Sequence, residues 1–230
     1  MIRLNSLPWF YQQEISEHVC PKMAAHIKAK RLKPLQKIIT FDGSGKTALC
    51  ELINLNKIKI ISTKQKKRPH NIILALPYCD IKTMNNIIIK ATELGCSKID
   101  IIHTEYSYSC GSHKRINQKN LEKWQIQMQQ ACQQAENPFM PIINYNIELK
   151  NHLMSYHNTQ KYVLGFDKNP EQINPNNDAV LYVGPEGGFS QAEAELFKES
   201  NTICLSFGQN ILKVETATIS GISLLVLRAL

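Results

Sequence analysis

The sequence predicts an α/β chain in two parts, a small β-barrel over residues 1–68 and a parallel sheet flanked by helices over residues 69–230. Three observations predict it. Glycine-bearing turns separate short β-branched runs between Lys37 and Ser62; strand-like apolar runs alternate with helix-period segments from Asn71 onward; and a basic run ending in Pro69 stands between the two patterns.

In the first part, Lys37–Phe41, Lys46–Ile53 and Lys57–Ser62 read as strands. The turn Asp42-Gly43-Ser44-Gly45 joins the first two, and its glycines supply the positive φ angles a tight hairpin demands. The run Lys64–Pro69 ends in a residue that breaks regular structure, so it is expected to be an interdomain linker.

In the second part, Ile72–Leu76 is a short buried strand. Ile81, Met84, Ile87, Ile88, Ala91 and Leu94 then fall at helical spacing, with Gly95 where a helix end takes a left-handed residue. Ile99–His103 is the next strand, and 117–135 a glutamine-rich helix. Pro141–Asn144, Lys161–Phe166, Val180–Val183 and Ile203–Ser206 complete the strands, and a helix runs from the segment around Ala217 to Arg228. Its residues Ile219, Ile222, Leu225 and Val226 form a wide apolar stripe, suited to a core or a dimer surface.

Charge is distributed unevenly. Residues 1–70 hold 14 Lys and Arg against 4 acids, whereas residues 71–230 hold 13 against 15. The first part is therefore the one suited to a polyanion such as RNA. Seven cysteines show no metal-binding spacing and Met1-Ile2-Arg3-Leu4 opens no secretory signal, so a cytoplasmic protein with reduced thiols and no metal is expected. The apolar stretch Ile222–Leu227 is far shorter than the ~20 residues a membrane helix needs.

Two loops carry the chemical signal. A buried strand runs into Gly184-Pro185-Glu186-Gly187-Gly188-Phe189-Ser190, and Ser190 with Glu193 has the spacing of a capping box. The second loop, Phe207-Gly208-Gln209-Asn210-Ile211-Leu212-Lys213-Val214-Glu215, follows one strand later and opens the last helix. In an open parallel sheet, ligands bind beyond the carboxyl ends of strands, where glycines let the backbone approach them. Neither loop is a dinucleotide or triphosphate fingerprint. The two are expected to leave adjacent strands and to enclose one small ligand.

The GPEGGFS loop, followed some twenty residues later by FGQNILKVETA, resembles the 16S rRNA (uracil-N3)-methyltransferase family, small subunit methyltransferase E, of the SPOUT superfamily. Lys90–Gly95, Lys123-Trp124, Ala131–Gln134 with Pro141, and His26, Arg31 and Asp42-Gly43 extend the resemblance over almost the whole chain. It implies a PUA-like RNA-binding barrel over 1–68, and over 69–230 a SPOUT methyltransferase domain with a C-terminal trefoil knot. That domain would bind S-adenosylmethionine, act as a homodimer and methylate uracil N3 in the 16S rRNA of the small ribosomal subunit.

Under that resemblance the cofactor candidates are Leu164, Gly165, Gly184, Pro185, Glu186, Gly187, Gly188, Phe207, Gly208, Ile211 and Leu212, and the catalytic candidates Glu186, Lys213 and Glu215. The RNA candidates are Arg3, Lys28, Lys30, Arg31 and Lys33, with Lys64–Arg68 and His113, Lys114 and Arg115 as further basic positions. Trp9, Phe10 and Tyr11 could stack on a base or fill a core. The sequence departs from the family at arginines, with Tyr106, Asn137 and Lys213 in their places, and Leu35-Gln36 replaces a Gly-Asp pair. These departures leave two competing readings open: a knotted-fold RNA-binding protein without methyl transfer, and a methyltransferase acting on another RNA such as a tRNA.

Overall fold

The computed structural model describes residues 7–108, 116–165, 178–208 and 210–229. Its contacts form two compact units, Met1–Arg68 with Gln129–Met140, and Pro69–Met128 with Pro141–Leu230. The segment 129–140, which lies inside the later part of the sequence, thus belongs with the first unit.

The first unit is a four-stranded sheet in the order β1-β2-β3-β4, from Trp9–Tyr11, Lys37–Phe41, Lys46–Asn54 and Lys57–Gln65. Its hairpin turn carries Gly43 and Gly45 at φ 86° and 103°, and Asp42 Oδ1 accepts from the Ser44 amide at 2.8 Å. The turn is also a docking point. Gly45 N–H donates to Pro138 O and Met140 N–H to Gly43 O, and a Cβ at Gly45 would sit 2.4 Å from the Phe139 ring. Helix α1, Pro21–Ala29, closes one face by burying Met23 and Ile27 against Phe10, Ile38, Leu52 and Ile58. Each such side chain removed from water contributes roughly 1.5–3 kcal/mol. Neither β1 nor α1 is foreseen in the sequence, and β4 runs to Gln65, so the expected linker begins in a strand.

The second unit is a six-stranded parallel sheet in the order β10-β8-β9-β5-β6-β7. In chain order these strands are β5 Asn71–Pro77, β6 Lys98–His103, β7 Ile142–Glu148, β8 Gln160–Leu164, β9 Asp178–Tyr182 and β10 Ile203–Leu205. Ile72 to Pro77 are all buried, as expected of a central strand covered on both faces. Helix α2, Ile81–Glu93, starts at Asp80, whose carboxylate accepts from the Lys82 and Thr83 amides at 2.8 and 3.1 Å, and ends before Gly95 at φ 86°. Helices α3 and α4 are Glu105–Tyr108 and Gln118–Ala135.

Helices α5, Leu149–Ser155, and α6, Gln191–Glu199, contribute Leu149, Leu153 and Phe197 to one core cluster with Ile73, Val163, Val180 and Tyr182. Helix α7, Val214–Ala229, packs on α2, β5 and β9, and a Cβ at Gly221 would lie 2.7 Å from Leu181. That close approach buries Ile222 and Leu225 completely or nearly so. Among the described residues no helix is long and apolar enough to cross a membrane, and no metal-binding cluster occurs. The described cysteines Cys20, Cys50, Cys79, Cys96, Cys132 and Cys204 are free thiols.

Candidate cofactor and catalytic site

Because the six strands are parallel, their carboxyl ends share one edge. The two glycine-bearing loops leave that edge after β9 and β10. The expectation that their strands are neighbours is corrected by the sheet order, since β8 lies between them. The insertion sets Leu164 and Gly165, at the end of β8, between the two loops. Gly165 N–H donates to Leu205 O at 3.0 Å, and a side chain there would collide with Cys204 Sγ at 2.8 Å. On the other side Val183 N–H donates to Ala75 O at 2.9 Å, carrying the β9–β5 pairing to the start of the loop.

Within the loops, Gly188 and Gly208 adopt φ values of 73° and 93°, and a Cβ built on either meets nothing within 4 Å. Their conformation requires glycine while the space beside them is open. Gly184, Pro185 and Leu212 are half-buried, and Glu186 and Gly187 are exposed. Phe207 is 37 % exposed and Ile211 84 %, so this edge presents apolar surface to solvent.

Three charged candidates stand around it. Glu215 lies in the first turn of α7, where the helix dipole favours a carboxylate, and Lys213 immediately precedes that helix with its carbonyl accepting from Ala217 N–H. Among the described residues the side chains of Glu186, Lys213 and Glu215 make no hydrogen bond or ion pair. Glu186 therefore does not brace its own loop. Cys79, just past the end of β5, feels the charge of both carboxylates. Burial pushes its thiol up to about 12, and the negative charges of Glu186, Asp80 and Glu215 add to that rise. Sequence reasoning passed over Cys79, because a lone cysteine beside an apolar strand reads as core.

The loop is braced from elsewhere. Glu193 closes the capping box with Ser190, its Oε2 accepting from Ser190 N–H at 2.8 Å, while its Oε1 accepts from the Glu105 amide at 2.8 Å. One buried carboxylate thus ties the loop after β9 to the segment after β6. Beside this tie, a Cβ at Gly187 would lie 3.4 to 3.6 Å from Cβ, Cδ2 and Cγ of Tyr106. Phe189 covers Gly184, where a Cβ would be 3.1 Å from its ring, and meets Phe197 at 4.7 Å between centroids.

Beneath this aromatic stack lies a buried polar network. Asp100 on β6 accepts from His152 Nε2 at 2.9 Å, from the Tyr156 hydroxyl at 3.3 Å and, at its other oxygen, from Asn144 at 2.7 Å. An ionised carboxylate only accepts, so His152 Nε2 carries a proton, and in the neutral ring Nδ1 accepts from the Tyr182 hydroxyl at 2.8 Å. Burial raises the Tyr182 phenol far above its ordinary range, with the charge of Asp100 adding to the rise. Tyr182 stacks edge-on with Phe197 at 5.2 Å, which links the network to the glycine loop.

The RNA candidates Lys28, Lys30, Arg31 and Lys33 are exposed residues of the first unit, at the end of α1 and just after it. Arg3, His113, Lys114 and Arg115 lie outside the described residues. Of the three leading aromatics, Phe10 is core at 1 % exposure and Trp9 and Tyr11 are half-buried, packed against Phe41.

Residues 66–226 match the sequence model of the RNA methyltransferase domain, which together with the parallel sheet and its glycine loops places the molecule among RNA methyltransferases. The chain is 30 % identical over 205 residues to the ribosomal RNA small subunit methyltransferase E of Rickettsia conorii, covering 84 % of this chain and 81 % of the relative. It is 26 % identical over 228 residues to that of Aquifex aeolicus, covering 94 % and 98 %. The chain belongs to the ribosomal RNA small subunit methyltransferase E family. Its fold matches that enzyme from Neisseria gonorrhoeae, solved bound to S-adenosyl methionine, with a TM-score of 0.79 at 24 % identity over 95 % of this chain and 96 % of that one. A methyltransferase from Legionella pneumophila, solved with S-adenosyl methionine, gives 0.81 at 23 % identity over 96 % and 97 %.

Proposed function

We propose that this chain transfers a methyl group from S-adenosylmethionine to N3 of a uridine in the 16S rRNA of the small ribosomal subunit. The observation that carries the reading is that two glycine loops leave one sheet edge on either side of β8, the first bearing Glu186 and the second ending at Glu215. The residues fit the cofactor. The open faces at Gly188 and Gly208 admit a ligand to the backbone, exposed Phe207 and Ile211 offer apolar surface to an adenine, and the carboxylates suit a positive sulfonium. When bound, the cofactor supplies an electrophilic methyl group. Leu164, Gly165, Gly184, Pro185, Gly187, Gly188, Gly208 and Leu212 would hold it.

The chain's own task is to position the base and manage one proton. Uracil N3 must lose its proton before its lone pair is free, and one of Glu186 and Glu215 serves to take or orient it. Lys213, which has no ion-pair partner among the described residues, serves the negative charge that develops on the flanking carbonyls. The exposed basic residues Lys28, Lys30, Arg31 and Lys33 of a PUA-like first unit serve the phosphates, positioning RNA without reading its sequence. The same reading takes the enzyme as a cytoplasmic homodimer whose C-terminal segments form the trefoil knot. The return of α7 from the outermost strand to β5 and α2 supports that path, and free thiols suit that compartment.

The test is mass-spectrometric mapping of modified uridines in small-subunit rRNA from cells with and without the gene, with cofactor binding measured by calorimetry. N3-methyluridine should disappear in the deletion and return with the wild-type gene. A modification pattern that does not change refutes the reading.

A further inference from the structure

Methylation at N3 sets a demand that the cofactor loops do not meet. N3 lies on the edge of uracil that base pairing covers, so a paired or stacked target base must leave its neighbours, and the stacking it loses has to be replaced by the protein. A replacement face must be aromatic, half-exposed, rigidly held and beside the cofactor loop. Tyr106 meets each condition. The residue is 46 % exposed, and its Cβ, Cγ and Cδ2 abut the space over Gly187, the residue that follows Glu186.

Its backbone is anchored from two sides. Glu193, only 7 % exposed, accepts from the Glu105 amide at 2.8 Å, and Ser107 Oγ both accepts from Thr104 N–H at 3.0 Å and donates to Thr104 O at 2.8 Å. The same Glu193 holds Ser190, so the segment bearing Tyr106 and the loop bearing Glu186 share one fixed point. The neighbouring rings are committed differently. Phe189 covers Gly184 and Phe197, and Phe207 sits in the loop after β10.

We propose that Tyr106 is the stacking platform for the target uracil, a substrate-positioning residue next to the methyl-transfer site. The inference rests on the function proposed above and adds the residue that receives the extruded base. Base-on-aromatic stacking is sequence-tolerant, so Tyr106 would hold the ring plane while Glu186, Lys213 and Glu215 act at its edge.

The test uses the full-length protein and small-subunit RNA. Tyr106→Phe should keep kcat/KM for RNA within about two-fold of wild type, whereas Tyr106→Ala should lower it about five- to 140-fold, the range alanine substitution gives for one stacked base. The cofactor Kd should stay unchanged in both, and RNA carrying 5-iodouridine at the target position should photocrosslink to Tyr106 in wild type. Wild-type turnover with an unimpaired Tyr106→Ala variant overturns the platform alone, as does a crosslink that maps only elsewhere. A cofactor Kd weakened as much as RNA turnover reassigns the ring to the cofactor pocket and also overturns it. Wild-type protein that leaves the RNA unmethylated refutes the underlying function, and this inference with it.

Discussion

Replacing His152 by leucine is the sharpest test of how the glycine loop is supported. The imidazole is 2 % exposed and makes two hydrogen bonds, to Asp100 Oδ2 at 2.9 Å and to the Tyr182 hydroxyl at 2.8 Å. Leucine is close in volume, so the cost is electrostatic rather than steric. Taking a neutral hydrogen-bond donor from a buried carboxylate costs about 1.5–3 kcal/mol, because the acceptor stays desolvated. Asp100 would keep Asn144 and Tyr156, which places the loss toward the lower end, while a stranded Tyr182 hydroxyl adds about 1–3 kcal/mol. A net loss of about 4 kcal/mol corresponds to a fall in Tm of roughly 8–16 °C for a chain of this size.

The assay is thermal and urea unfolding followed by circular dichroism, run as a double-mutant cycle with Asp100→Leu. If the two groups form one network, the double variant should be less destabilised than the sum of the singles by about 2 kcal/mol, since removing both leaves no lone buried charge. Cofactor Kd should weaken in parallel, because Tyr182 bears on Phe197, Phe197 on Phe189, and Phe189 on Gly184. A His152→Leu loss below about 1 kcal/mol, or additivity within about 0.5 kcal/mol, would refute the reasoning.

Further predictions concern other parts of the chain. Leu35 holds φ 70° with 73 % of its surface exposed, so Leu35→Gly should relieve a left-handed leucine and stabilise the first unit by about 1 kcal/mol, seen as a higher urea midpoint. Burial raises the thiols of Cys79 and Cys132 to about 12, so at mildly alkaline pH both should resist an alkylating reagent in the native protein while exposed Cys20 is labelled, as peptide mass spectrometry would show. Hydrogen bonds from the Thr83 side chain and amide, and from the Lys82 amide, hold the Asp80 carboxyl below its ordinary range. Its contribution is therefore present above the usual carboxylate pKa and lost as pH falls through the depressed one. Asp80→Ala should cost about 1 kcal/mol at neutral pH and progressively less in acid, and a constant difference across that range would contradict the capping role.

What the sequence discloses follows from the range of the interactions. The hairpin at Gly43 and Gly45, the capping box of Ser190 and Glu193 and the left-handed Gly95 are decided within a few residues, and each is found as expected. Helix α1 escapes notice because its N-cap, Cys20, makes no side-chain capping bond and its first turn holds no acid, while β1 is only three residues long. In the candidate site, only half of Glu193 is legible. The capping oxygen answers to Ser190, three residues away, but the other answers to Glu105, 88 residues away in sequence. Asp100 in the apolar run of β6 looks like a defect until His152 from α5, Tyr156 just beyond it and Asn144 from β7 arrive to satisfy it. The position of β8 between β9 and β10 is likewise a matter of long-range pairing that no local pattern encodes.

Glu186 and Glu215 share a location but need not share a task, and their charges allow the two to be separated. Methyl transfer from a sulfonium to deprotonated uracil consumes one positive and one negative charge, so a carboxylate that merely steadies the cation stabilises the ground state more than the transition state. Such a group raises affinity without raising rate. Its Glu→Gln variant should weaken cofactor binding and leave kcat nearly intact at saturation. A carboxylate that takes the N3 proton has the opposite signature, a fall in kcat with an unchanged cofactor Kd and loss of the acid limb of the pH–rate profile. Glu215 is half-buried in the first turn of α7, at the positive end of the helix dipole, whereas Glu186 sits exposed in a loop next to Gly187, over which Tyr106 lies. We therefore expect Glu215→Gln to act on Kd and Glu186→Gln on kcat. The reverse pattern in calorimetry and single-turnover kinetics would exchange the two roles, and retained kcat in both would leave positioning alone to account for the reaction.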